Sequence, residues 1–237
     1  METLNLSNLT IDIIRKDIKN MHLAVYPPNG RIRLSAPKNT DNEMMRLFAI
    51  SKISWIKKHI KNFETQPRET PREFISGESY YLLGKRYLLK VIEHNEVPKV
   101  VLKHKTLELY VRPDTSSEKR EAIIEEWYRN QLKALVPKLI EKWEKVIGVQ
   151  SNAYGIKKMR TKWGTCNTTA KRIWLNLELA KKPIECIEFI IAHELVHLLE
   201  RSHNDRFVSY MNEFMPKWRF YREELNNLPF RYVNWKY

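Results

Sequence analysis

The sequence predicts an α+β protein in which a β-rich N-terminal part with a helix, residues 1–115, precedes a second domain, residues 116–237. Three observations predict this class. Short alternating apolar runs fill the first part. Residues 123–147 carry apolar side chains at helical spacing, and a further apolar helical run near residue 190 contains a metal-binding motif. The 237 residues suffice for one large domain or two small ones.

The β-rich part is predicted to hold two groups of strands with a helix between them. Pro27-Pro28-Asn29-Gly30 indicates a hairpin turn, and Thr40 or Asp41 is placed to cap the helix. A connector rich in proline and charge, residues 65–73, follows the helix. The sequence shows no internal repeat. The predicted strands are residues 9–14, 22–27, 31–37, 79–84, 86–93, 97–103 and 106–113.

A long helix is predicted to open the second domain. Thr115 and Glu118 have the spacing of a capping box, and Gly148 is placed to end the helix. Pro137 is expected to kink or split it. An irregular basic strand region, residues 154–182, then leads to a helix opened by Pro183.

Composition limits the class of protein and suggests partners. The chain has 42 Lys+Arg against 28 Asp+Glu, a net charge of +14. This charge favours anionic partners such as nucleic acid, nucleotides or acidic protein segments, although solubility alone would also explain it. The two cysteines, Cys166 and Cys186, predict no disulfide framework. Without a signal-type segment or a membrane-length apolar run, a cytoplasmic protein without a membrane partner is expected.

The segment His193-Glu194-Leu195-Val196-His197 is the strongest functional signal. Residues four apart lie about 40° apart around a helix, so the two imidazoles can converge on one ion. Imidazole nitrogen is a preferred ligand of Zn²⁺. Glu194 projects beside the ligands, where it can accept a proton from zinc-bound water. The motif therefore predicts one catalytic zinc ion per chain and a hydrolytic reaction.

A catalytic zinc ion needs a third protein ligand and one open position. His203 is six residues beyond His197, and in a continuous helix it would point about 240° away. If His203 is the ligand, the helix must end near Arg201 and Ser202. His203 could instead be an ordinary surface histidine. The rival ligands are carboxylates at Glu200, Glu213 and Glu223.

Several segments together resemble the YgjP-like metallopeptidase family, which is related in pattern to SprT-like and WLM zinc proteases. They follow in order as a WGTC strand, an LN-containing strand, the HELVH helix and a SHNDRF segment. The N-terminal half also matches, so the resemblance covers nearly the whole chain. Thr165 and Lys162 depart from the usual Ser and Arg. The matching residues are 55–59, 77–91, 157–166, 172–179, 183, 189–207 and 215–225.

The resemblance implies a zincin-like catalytic domain and hydrolase chemistry. It implies that zinc is bound by His193, His197 and His203, with Glu194 as the catalytic base. It leaves the natural substrate open. A metallopeptidase is the leading interpretation. A nucleoside triphosphate hydrolase using the same site, and a DNA-associated zinc protein or protease, are the alternatives.

Residues 145–177 contain no Asp or Glu but seven basic side chains. In zincins a strand beside the active-site helix borders the cleft and can pair with an extended substrate. Arg160, Lys162 and Trp163 are therefore predicted to contact the substrate, which could be a peptide, a protein or a nucleotide. The same basic surface could bind nucleic acid. A solvated edge strand that uses lysines to prevent aggregation is the competing interpretation.

Overall fold

The computed structural model describes residues 2–26, 30–65, 72–159 and 162–227. The chain divides into two compact units, Met1–Arg68 and Glu69–Tyr237, each with its own hydrophobic core. The boundary predicted between residues 115 and 116 falls inside the second unit, because the strands before it and the long helix after it share one core. Strands and helices both contribute to each unit, so the α+β class is confirmed.

The first unit is a four-stranded sheet with two helices. Strands β3 and β4 pair antiparallel, as predicted, although the turn residues 27–29 lie outside the described residues. The predicted single helix is instead two helices that meet at Lys52, and the sheet has an edge strand, β1, that the sequence did not predict. The elements are β1 (Glu2–Leu6), β2 (Leu9–Lys16), β3 (His22–Tyr26), β4 (Arg31–Pro37), α1 (Asn42–Ser51) and α2 (Ile53–Thr65).

The second unit contains two sheets. The first holds the four strands that the sequence predicted between residues 79 and 113. The second is formed from the basic region and lies within the predicted range 154–182 except for its first residue. The predicted connector at 65–73 falls mostly on residues 66–71, outside the described residues. The strands are β5 (Ser79–Leu82), β6 (Lys85–Glu93), β7 (Lys99–Leu102), β8 (Thr106–Val111), β9 (Ala153–Lys157), β10 (Gly164–Asn167) and β11 (Arg172–Asn176).

The three sheets share one connection pattern. The first two have the strand orders β1-β2-β4-β3 and β5-β6-β8-β7. In each, the second and fourth strands are parallel neighbours and the third returns antiparallel at the edge. The third sheet has the strand order β10-β11-β9. Its strands β9 and β11 are parallel neighbours, and β10 returns antiparallel at the edge, as the third strand does in the other two sheets. The sequence did not reveal this repetition because it lies in strand order and not in residue type.

The helices of the second unit surround a central one. α3 begins after Ser116 and not at the predicted Thr115, whose hydroxyl instead donates to the Arg112 carbonyl. It continues through Pro137, so the predicted split does not occur. Gly148 ends it in the left-handed conformation (φ 75°), as predicted. The helices are α3 (Ser117–Ile147), α4 (Ile184–Val196), α5 (Asp205–Phe214) and α6 (Trp218–Asn227), with a 3₁₀ helix (Leu177–Lys181) before α4.

α4 is the central helix because every residue from Phe189 to Val196 is buried, whichever side of the helix it lies on. It packs against α3, α5, α6 and β10. Pro183 stands directly before its first turn, where proline is compatible with helix geometry, and this confirms the predicted start.

The turn between β5 and β6 fixes the start of α4. The Leu83 and Gly84 amides donate to carbonyls of the 3₁₀ helix at 2.9 and 3.3 Å. Gly84 has a φ of +79°, and a β-carbon there would lie 3.0 Å from Cγ and 3.3 Å from Cα of Pro183. Only glycine therefore combines this backbone conformation with this close approach.

Replacing Gly84 by Ala is expected to destabilise the protein more than replacing Gly77, which also has a positive φ (+96°) but has open space at its β-carbon. Both variants place alanine in a left-handed conformation, at a cost of roughly 1–2 kcal/mol. Only Gly84→Ala also meets the Pro183 backbone. Urea unfolding should show the larger loss for Gly84→Ala, and equal losses would contradict the role given to this contact.

Candidate active site

The C-terminal end of α4 carries His193 and Glu194, and His197 is its C-cap. Their spacing brings the two imidazoles to one side, with ring centroids 4.9 Å apart. His193 and Glu194 are only 1% and 2% exposed. The buried C-terminal half of α4 thus carries a histidine and a carboxylate into the core, an arrangement that needs a compensating interaction.

The chain leaves α4 at Val196, earlier than the predicted end near residues 201–202. The Leu198 amide donates to the Leu195 carbonyl at 2.9 Å, which is the tighter hydrogen-bond pattern of a 3₁₀ turn. The loop that follows returns His203 to the two helix histidines. The helix therefore ends before His203, as ligation by that residue requires.

The three predicted metal ligands form one cluster. A ring nitrogen from each of His193, His197 and His203 lies within 4.8 Å of the others. The Nε2 atoms of His193 and His203 are 3.0 Å apart. Nitrogens at such separations can share one Zn²⁺ at about 2.0–2.1 Å, so the donor set fits this metal. Within the described part of the chain, the rival carboxylates do not join the cluster: Glu200, Glu213 and Glu223.

The loop after α4 orients His197. Its Nδ1 lies 3.1 Å from the carbonyl oxygen of Glu200. A carbonyl can only accept, so Nδ1 must carry the proton and Nε2 keeps a free lone pair for a metal. The Glu200 carboxylate has a separate partner, the Ser202 amide at 3.0 Å. Its pKa is lowered mainly by that hydrogen bond, so this carboxylate stabilises the loop.

Phe207 packs beneath all three imidazoles, and the sequence reasoning assigned it no role. Its ring centroid lies 4.8–4.9 Å from each of the three histidine centroids, and the residue is buried. The Oδ1 atom of Asn204 accepts a hydrogen bond from the Phe207 amide at 3.0 Å and thereby caps α5. The cap holds the first turn of α5 against the cluster. Phe207 belongs to the SHNDRF segment that resembles the family. Its contact with the histidines joins α5 to the end of α4, and such a contact between two helices leaves no periodic pattern in the sequence.

The imidazoles are held in the neutral form that binds metals. Burial, with the neighbouring histidines as a further cause, lowers the pKa of His193 well below its usual value. Burial and His197 lower the pKa of His203 to about 4. A neutral imidazole has a lone pair to donate, so the cluster needs no deprotonation at neutral pH before it can coordinate.

Gly164 of β10 makes room for Glu194, a contact that no local sequence pattern predicts. A β-carbon at residue 164 would lie 2.6 Å from Oε1, 2.8 Å from Cγ and 3.0 Å from Cδ of Glu194. The glycine of the WGTC segment therefore lets the sheet backbone approach the carboxylate directly. The edge strand and the Glu194 carboxylate are therefore in contact.

Burial raises the pKa of Glu194 to about 8, against the opposing charge of Lys162. Burial, together with Glu194, also raises the pKa of Cys166 to about 11, so this thiol is not a nucleophile at neutral pH. A nearby metal cation would favour the ionised form of Glu194, which is the form that accepts a proton.

The three residues that were predicted to contact the substrate differ in where they lie in the structure. Trp163 is 1% exposed and part of the hydrophobic core, so the predicted contact with substrate is wrong for this residue. Lys162 is exposed, and its charge lowers the pKa of both Glu194 and His197. Arg160 lies outside the described residues, and its role remains a prediction.

Part of the basic region is neutralised in space by acidic residues from α3. Lys158 forms ion pairs with Glu121 and Glu125, and Lys145 with Glu141. A further lysine of this region, Lys157, lies over the Trp174 ring, 4.8 Å from its centroid. The absence of acidic residues along the sequence therefore overstates the positive charge of this surface.

If the site binds zinc and catalyses hydrolysis, as the sequence predicts, Gly164→Ala is expected to retain the metal and to slow hydrolysis strongly, because the three atoms nearest to the new methyl group all belong to the Glu194 side chain. Gly155→Ala on β9 is the matched control, since the three atoms nearest to its methyl group belong to the Trp174 ring, the first of them at 2.3 Å. Metal content and hydrolysis rates of both variants, at temperatures where both are folded, test the contact. Equal rates would contradict it.

Every helix in the described part of the chain is too short or too polar to span a bilayer.

Comparison with known proteins places the chain in a family. A family model described as YgjP-like, metallopeptidase domain, matches residues 19–228. A search of curated proteins finds no match. The metallopeptidase zymogen of Pyrococcus abyssi abylysin is similar in structure over 38% of this chain and 91% of its own, with 19% identity and a TM-score of 0.37. Because the family model covers most of the chain, this protein belongs to the YgjP-like metallopeptidase family.

Proposed function

We propose that the protein is a zinc-dependent metallopeptidase whose metal is held by His193, His197 and His203. The observation that carries the proposal is the convergence of three neutral imidazoles beside a buried carboxylate. Three protein ligands with one open position are typical of catalytic zinc, whereas structural zinc usually has four protein ligands. Membership of a metallopeptidase family supports the same reaction class.

Glu194 is proposed as the general base and later the general acid. A zinc ion in this site would polarise the scissile carbonyl and lower the pKa of water. Glu194 removes a proton from the attacking water while the oxygen bonds to the carbonyl carbon. The same carboxyl group then donates that proton to the amide nitrogen as the C–N bond breaks. The products are a carboxylic acid and an amine, so one water molecule accounts for every added atom.

The edge strand β10 is proposed to bind the substrate. It pairs with β11 on one side and is the terminal strand of its sheet. An extended peptide can add to such an edge through backbone hydrogen bonds, largely independent of side-chain identity. Because Gly164 contacts Glu194, a peptide bound along β10 would pass close to the base.

A peptide is favoured over the other predicted substrates. The nucleotide and DNA hypotheses depended on the charge of residues 145–177, and two lysines of that region are paired with glutamates. The edge strand and the family both favour a peptide backbone as the group recognised. Neither alternative has a comparable observation in its favour.

The purified protein is expected to bind about one zinc ion per chain. His203→Ala should lose tight binding, because two remaining ligands rarely hold catalytic zinc. His104→Ala, at an exposed histidine beyond β7, is the control and should bind normally. Metal analysis after dialysis against zinc measures all three proteins. Wild-type protein without zinc, or a His203 variant with full affinity, would contradict the proposed ligand set.

Glu194→Gln is expected to keep zinc and to lose roughly 10²–10⁴-fold in the rate of peptide cleavage, the scale of general-base assistance. Glu213→Gln, at an exposed glutamate of α5, is the matched control. Cleavage of a peptide library by the zinc-loaded proteins, with metal content determined in parallel, provides the measurement. Full activity of Glu194→Gln would remove this residue from the mechanism.

A further inference from the structure

Asn176, the last residue of β11, is fully buried and uses its whole side-chain amide in hydrogen bonds. Its Nδ2 group donates to the carbonyl oxygens of Met159 (3.0 Å) and Lys162 (2.7 Å). Its Oδ1 accepts from the Met159 amide and the Glu178 amide, both at 3.2 Å. One side chain thus satisfies four hydrogen bonds, three of them to the segment that precedes β10.

The backbone of Asn176 adds a fourth link to the same segment. Its amide donates to the Trp163 carbonyl at 2.8 Å, and the Trp163 side chain is anchored in the core. Met159, Lys162 and Trp163 are therefore all fixed by one residue. The next residue, Gly164, lies against the Glu194 carboxylate. The backbone of Lys162 is consequently held two residues from the point where the sheet meets the proposed base.

Lys162 differs from Lys158, which begins the same segment. Lys158 is occupied by ion pairs with two glutamates of α3. Lys162 is exposed and stands two residues before Gly164, which lies against the Glu194 carboxylate, and its charge lowers the pKa of Glu194 and of His197. Asn176 thus fixes the backbone of a basic residue beside the site, and it also caps the 3₁₀ helix through the Glu178 amide.

We propose that Lys162 stabilises the negative charge that develops on the scissile carbonyl oxygen, and that Asn176 is the positioning residue that holds Lys162 in place. The proposal rests on the proposed metallopeptidase function. As water adds to the carbonyl carbon, the π electrons of the C=O bond move to oxygen, and the ammonium group faces this oxygen. When the C–N bond breaks the electrons return, so Lys162 exchanges no proton with the substrate.

A lysine requires this support more than an arginine would. Its ammonium group is a point charge on a flexible four-carbon stem, and each ordered side chain loses rotamer entropy. Fixing the backbone reduces the set of positions that the charge can occupy. Charges placed before the reaction stabilise a transition state without further reorganisation.

The first test compares Lys162→Gln and Lys162→Arg with Lys157→Gln, the control at an exposed lysine of β9. Lys162→Gln should lower kcat about 10²-fold, the scale of losing one oxyanion-stabilising group, with little change in KM. Lys162→Arg should recover most of this loss. The control should match wild type, and all variants should keep full zinc affinity. If Lys162→Gln cleaves as fast as Lys157→Gln, the proposal is wrong.

Binding of a phosphinic peptide, an uncleavable mimic of the charged tetrahedral species, gives a readout that does not depend on turnover. Lys162→Gln should weaken this binding by about the same factor as kcat, since analogues follow transition-state stabilisation. Unchanged binding would contradict the proposal. Failure of the proposed function would look different, because wild-type protein would then cleave no peptide or Glu194→Gln would remain active.

A double-mutant cycle tests the positioning role of Asn176. If Asn176 acts through Lys162, Asn176→Ala should lower kcat in the wild-type background but hardly at all in the Lys162→Gln background. If Asn176→Ala lowers kcat by the same factor in both backgrounds, the role of Asn176 is purely structural. Asn176→Asp, which keeps the acceptor oxygen and loses the two donated hydrogen bonds, serves if the alanine variant does not fold. The Lys162 variants are altered at an exposed side chain. They test the catalytic role of Lys162 whether or not the Asn176 variants fold.

Discussion

The structure of the second unit depends on one constraint: the fully buried half of α4, from Phe189 to Val196, must accommodate a histidine and a glutamate in the core. A buried polar group destabilises the fold unless its surroundings compensate for the lost water. Around His193 the compensation comes from two other imidazoles. Around Glu194 the charge of Lys162 opposes the effect of burial, although burial prevails and raises the pKa of this carboxyl group to about 8. The early end of α4, the cap of α5 and the glycine of β10 each serve this accommodation.

Packing restricts the three imidazoles of the cluster. Three neutral imidazoles in contact do not repel one another as three imidazolium ions would, and burial keeps the pKa values of His193 and His203 low. Phe207 and the Glu200 carbonyl restrict the rings further, so the fold itself orients the ring nitrogens. Ligands that the fold orients lose less conformational entropy on binding than ligands on a flexible loop.

The sequence predicted those parts of the site that depend on short spacing along the chain. The His193–His197 pair follows directly from helical geometry, and His203 follows from the need for a third ligand. Trp163 was misassigned because a tryptophan within a basic segment has the same local pattern whether it is buried or exposed. The contribution of Gly164 depended on a contact between a strand and a helix thirty positions apart, which no local pattern encodes.

The fold was predictable to a similar extent. Alternating apolar residues located most strands, and Pro183 and Gly148 marked helix ends correctly. Pro137 did not interrupt α3, because packing of that helix against the core outweighs the loss of one backbone hydrogen bond. The identical strand order of the first two sheets was not predictable, since parallel pairing between β2 and β4, or β6 and β8, joins segments separated by a third strand.

The turn between β5 and β6 has a consequence for how the chain can be divided. Leu83 and Gly84 bond to the 3₁₀ helix and meet Pro183, about a hundred residues later. The sheet that begins at Ser79 is therefore part of the support of the proposed catalytic helix and not an accessory module. A fragment starting at the long helix would leave the apolar face of α3 in water and the start of α4 without its neighbour. Recombination between relatives would preserve the site only if β5–β8 and α4 were exchanged together.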